Sequence, residues 1–75
     1  MATDRTTIGR YMTAHRVPCE PRDVFTVEAR GGAIISTVEW YPRWRKYVLS
    51  TESSAVFSAD CLRGLAAFID EAGEP

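Results

Sequence analysis

The sequence predicts an α+β domain: a three- to four-stranded antiparallel meander with one C-terminal helix packed on one face. Three observations carry that expectation. Apolar and polar residues alternate over 24–30 and again over 33–41, on either side of Gly31-Gly32. Another alternating run follows Pro42. Leu62, Leu65, Ala66 and Ile69 then recur at the i, i+3, i+4, i+7 spacing of a helix face. The 75 residues make one domain, with strands over 24–57 and the helix over 58–72.

Residues 1–22 carry two competing patterns. Ile8, Tyr11, Met12 and His15 fall at helical spacing, and Thr3 or Thr7 is available as a cap. Thr6-Thr7 and Gly9 weaken a helix, so the segment reads equally as an extended arm. Pro18 and Pro21, with Cys19-Glu20 between them, make a turn.

In the first strand, Phe25, Val27 and Ala29 point one way and Thr26, Glu28 and Arg30 the other. Gly31-Gly32 suits the positive φ of a two-residue hairpin turn. The second strand sets Ile34, Ser36, Val38 and Trp40 against Ile35, Thr37, Glu39 and Tyr41. Pro42 has no N–H for a ladder and belongs in a second turn. Trp44 to Ser50 returns as a third strand, with Tyr47 and Leu49 inward and Trp44, Lys46 and Val48 outward. Ala55-Val56-Phe57 is a short strand or an anchoring segment. Ser58 is placed to cap the helix, with Asp60 in its first turn. Cys61 and Phe68 widen the apolar stripe; Arg63, Asp70 and Glu71 form the wet side. Gly73 fits the position just past the helix, and Pro75 cannot extend it.

At this length the core is small, which argues against a deep cavity for a large cofactor and for folding help from a partner or second copy. No cofactor is expected. Net charge is −1, so the chain as a whole is not an electrostatic nucleic-acid binder. Its charge is unevenly spread, however. Residues 40–48 carry Arg43, Arg45 and Lys46 with no acid, whereas residues 52–74 carry five acids against Arg63 alone. No apolar run has the length of a signal segment or membrane span, and two cysteines, Cys19 and Cys61, do not make a secreted disulfide scaffold. A cytoplasmic protein with reduced thiols is expected.

Reaction chemistry is hard to assemble from these residues. His15, Cys19 and Glu20 lie close in sequence, but a structural zinc site needs four ligands, and the other thiol belongs to a helix stripe. The single histidine lies in the N-terminal segment, the sequence has no Gly-x-Ser-x-Gly or analogous nucleophile elbow, and Gly31-Gly32 does not lead into a helix as a phosphate cradle would. Glu28 and Glu39 could face each other across paired strands, but two solvated carboxylates on the outer sheet face are the simpler reading. No catalytic or metal-binding residue is assigned, and an enzyme is not expected.

What remains is the run Trp40-Tyr41-Pro42-Arg43-Trp44-Arg45-Lys46-Tyr47, with both tryptophans and a cluster of cations. Trp, Tyr and Arg dominate interface hot spots, and rings beside guanidinium groups also stack on nucleobases. Trp40 and Tyr47 are assigned to the core. Tyr41, Arg43, Trp44, Arg45 and Lys46 are the candidate binding residues. A protein surface is favoured over nucleic acid as their partner, because the net charge is not positive.

The order Trp40-Tyr41, Trp44-Arg45-Lys46-Tyr47, Val56-Phe57, Cys61-Leu62 and Phe68-Ile69 resembles small uncharacterised proteins encoded by phages and prophages. The similarity covers residues 33–70 and rests on an aromatic pattern, with no activity to carry over. It implies a mobile-element origin, in which single-domain proteins of this size often inhibit a host machine, anti-CRISPR proteins among them. The expected function is therefore occlusion of a surface on a larger host protein or ribonucleoprotein complex in the bacterial cytoplasm. The alternatives are a nucleic-acid-binding accessory protein using residues 40–48 and a homodimerisation module.

Overall fold

A computed structural model describes residues 5–73; Thr3, Glu74 and Pro75 lie outside them. Five strands and one helix follow in order: β1 Arg5–Ile8, β2 Met12–Val17, β3 Val24–Ala29, β4 Ile34–Tyr41, β5 Lys46–Thr51 and α1 Ala59–Ala72. The strands form one antiparallel meander in the order β1-β2-β3-β4-β5. An antiparallel sheet followed by a C-terminal helix is the architecture the sequence predicts. The strand count is higher than expected because the N-terminal segment is a hairpin, neither helix nor unpaired arm. Ile8 lies opposite Met12 across its turn, with Gly9 in the left-handed region at φ 62°.

Strand pairing sorts side chains onto two faces. Ile8, Met12, Ala14, Val27 and Val38 are buried on the helix side, together with Tyr47, Leu65 and Phe68. Phe25, Trp40, Leu49 and Phe57 are partly buried against this cluster. Tyr47 and Leu49 thus face inward, as the alternation of the third predicted strand requires. Phe68 meets Phe25 edge-on, with ring centroids 5.1 Å apart. On the opposite face the register aligns His15, Thr26, Thr37 and Ser50 across four strands.

Three details differ from the sequence reading. The β3–β4 connection is three residues, Arg30-Gly31-Gly32, closed by Ala29 N–H to Ala33 O at 2.8 Å. Both glycines still take positive φ, 106° and 100°. The register then shifts between Val27 and Glu28, a bulge that leaves Ile34 exposed while Ile35 packs on the core. The third predicted strand begins only at Lys46, because Trp44 and Arg45 belong to the turn.

The helix begins where Ser58 accepts a hydrogen bond from the Cys61 N–H at 3.2 Å, the expected cap. Its buried stripe, however, is rotated from the expected one. Leu65 and Phe68 are buried and Cys61, Ile69 and Ala72 pack beside them, whereas Leu62 is 50% exposed and Ala66 is also exposed. Anchoring the large Phe68 ring against Phe25 sets that rotation. Gly73 ends the helix in the right-handed region (φ −83°), with its N–H on the Ile69 carbonyl, so the left-handed cap is not used. Ala55-Val56-Phe57 is not a strand; Phe57 anchors it while Val56 is 90% exposed. The helix lies against both outer strands, β5 and β1, so the sheet curls around it.

Candidate interaction surface

The β4–β5 connection, residues 42–45, joins Tyr41 to its ladder partner Lys46. Tyr41 O accepts from the N–H of Trp44 at 3.1 Å and of Arg45 at 2.9 Å, which winds the loop into a tight coil. Arg45 absorbs the reversal in the left-handed region, at φ 54°. Four-residue hairpin loops of this kind project their central side chains beyond the sheet.

All five predicted binding residues meet at this tip. Trp44 is 62% exposed and stands edge-on to the Tyr41 ring, centroids 5.0 Å apart. That geometry suits the quadrupoles of two aromatic rings and supports the indole without burying it. Arg43, Arg45 and Lys46 are exposed, and none makes an ion pair with a described residue. Below the rings, a shallow groove of about 260 Å³ runs over Val48 to Glu39 and Ser50. Ser50 donates to Glu39 at 3.2 Å.

The neighbouring aromatics serve the fold instead. Trp40 packs edge-on to Tyr47 at 5.6 Å, and the Arg22 guanidinium lies 3.8 Å above the Trp40 ring. Tyr47 Oη donates to the Asp23 carbonyl at 3.0 Å, and Arg16 holds the Asp23 carboxylate at 3.0 Å. Arg22 and Asp23 thus brace the base of the tip. Residue spacing alone does not reveal this, because both lie in the β2–β3 connection just after Pro21, distant in sequence from Trp40 and Tyr47.

The other groups weighed from the sequence are separated. His15 Nε2 lies 3.5 Å from Glu28, while Glu28 faces Ile34 across the ladder, so Glu28 and Glu39 do not form a carboxylate pair. No cluster of three His, Cys, Asp or Glu residues able to hold a metal occurs among the described residues. Cys19 is exposed, Cys61 is partly buried, and the two are not joined. The Ser58 hydroxyl donates to Cys61 Sγ at 3.3 Å, and this contact, with the backbone there, holds the thiol below its ordinary pKa. A crevice of about 280 Å³ separates this helix start from Gly9–Met12. No described helix is long and apolar enough to cross a membrane.

Comparisons with family models, curated proteins and solved structures gave no match.

Proposed function

We propose that this protein is a non-enzymatic binding module that docks the β4–β5 tip on a larger protein and occludes the surface it covers. One observation carries the reading: Trp44 is 62% exposed, with its indole resting edge-on against the Tyr41 ring. An uncovered indole, with only two side-chain torsions to restrict, gains affinity on burial at little entropic cost, which is how hot-spot residues work. Arg43, Arg45 and Lys46 surround it without a compensating acid over residues 40–48. They provide steering and hydrogen-bond donors for an acidic rim on the partner. The aromatic order resembles that of small phage-encoded proteins, which favours a host defence complex in the bacterial cytoplasm as the target.

Affinity capture from a bacterial host lysate tests the proposal, with wild-type protein compared with an Arg43→Ala, Trp44→Ala double variant. A partner retained by the wild type and lost by the variant is expected, with retention persisting as salt rises. Capture that collapses steeply with salt would instead support phosphate contacts and the nucleic-acid alternative.

A further inference from the structure

The ladder register defines which backbone groups of β5 remain open. Tyr41 pairs with Lys46, Glu39 with Val48 and Thr37 with Ser50. The same register extends one step further, where Glu52 N–H donates to Ile35 O at 3.0 Å. In an antiparallel ladder, hydrogen-bonded residues alternate with residues whose N–H and C=O both point away. Lys46, Val48, Ser50 and Glu52 therefore turn their backbone groups toward β4. Tyr47, Leu49 and Thr51 turn theirs outward, and β5 is the last strand of the sheet. No backbone bond outside the sheet ladder reaches those three residues from another described segment.

We propose that this edge pairs antiparallel with β5 of a second copy, joining the two sheets into one. A twofold axis perpendicular to a shared sheet keeps the two outer faces on one side. Residues opposite each other must then share a face, so the axis passes midway between the two copies of one residue. Placed at Leu49, it sets Leu49 opposite Leu49, Tyr47 opposite Thr51, Val48 opposite Ser50 and Lys46 opposite Glu52 of the second copy. All three outward residues become hydrogen-bonded pairs. The same register puts the exposed Lys46 ammonium against the exposed Glu52 carboxylate twice, once on each side of the axis. An axis at Val48 sets Lys46 opposite Ser50, and an axis at Ser50 sets it opposite Ser54; neither matches opposite charges. Charge and backbone geometry thus select the same register. On the other edge, among the described residues, β1 carries Gly64 of the helix close against Ile8.

Sedimentation of the whole chain over a range of concentrations is the first measurement. The expected result is a reversible monomer–dimer equilibrium. Lys46→Glu or Glu52→Lys should each weaken it about tenfold, because like charges then oppose each other on both sides of the axis. The combined Lys46→Glu, Glu52→Lys chain should regain the wild-type dissociation constant. Amide hydrogen exchange supplies a readout that needs no variant: the Tyr47, Leu49 and Thr51 amides should slow as protein concentration rises. A chain that stays monomeric at every concentration overturns the proposal. So does a dimer unaffected by either reversal, or one in which those three amides exchange at monomer rates. Neither measurement uses a host partner, so this outcome is independent of whether the tip binds one.

Discussion

Tyr47 shows how one side chain joins the core to the base of the tip. Its ring sits between Phe25 and Trp40, at centroid distances of 6.1 and 5.6 Å, while its hydroxyl reaches the Asp23 carbonyl. Burial pushes the phenol above its ordinary pKa; nearby Arg22 opposes the shift and Asp23 adds to it. Because the folded value is raised, the neutral phenol's contribution is complete below pH about 10 and is lost as pH climbs through the folded value. Thermal melts from neutral to strongly alkaline pH should show wild type losing stability more steeply than Tyr47→Phe. The variant should start about 1 kcal/mol less stable at neutral pH, through loss of the Asp23 hydrogen bond. Parallel alkaline losses in the two chains would contradict this assignment. Ser36 presents the opposite case. It is 1% exposed, and its hydroxyl has no hydrogen-bond partner among the described residues. Ser36→Ala removes a desolvated polar group at little cost in volume, so urea denaturation should find it within about 1 kcal/mol of wild type or more stable.

Among the elements, the helix is held at two places that substitutions can separate. Leu65, 1% exposed, lies under the helix, and Leu65→Ala should cost about 2–5 kcal/mol, enough to unfold much of so small a domain. Ser58→Ala should cost about 1 kcal/mol through the lost cap. It should also slow alkylation of Cys61 near neutral pH, because the hydroxyl that favours the thiolate is gone. Unchanged alkylation with reduced stability would show that the cap acts on the backbone alone. The elements also differed in how legible they were. β3 and β4 were readable because alternation and a Gly-Gly break reinforced each other. The β1–β2 hairpin was not, because Ile8 and Met12 are four residues apart. That spacing stacks side chains on a helix, and across this tight turn it also sets them face to face. Two overlapping stripes share Leu65 and Ile69, and only tertiary contact with Phe25 selects the one containing Phe68.

At the scale of the whole molecule, the core and the exposed aromatics are separate populations. The concave face of the sheet, closed by the helix, holds most of the large apolar side chains, while Trp44 extends from the turn on the strength of one ring contact. The tip was legible because its aromatics and cations interrupt the alternation of the flanking strands. Its support by Arg22 and Asp23 depends on a turn that is distant in sequence, and no spacing rule reveals it. This separation predicts opposite behaviour for the two tryptophans. Trp40→Ala should lower the melting temperature, since Trp40 packs on Tyr47 beneath Arg22. Trp44→Ala should leave melting nearly unchanged.

The most direct test of the central claim is the affinity of Trp44→Ala and Arg43→Ala for the captured partner, measured beside their melting temperatures. Each truncation is expected to weaken binding by about 2 kcal/mol or more, roughly thirtyfold, with the fold intact. Wild-type affinity in both variants would contradict it. The partner would then be met elsewhere, and the exposed acidic side of the helix at Asp70 and Glu71 would be the next surface to vary.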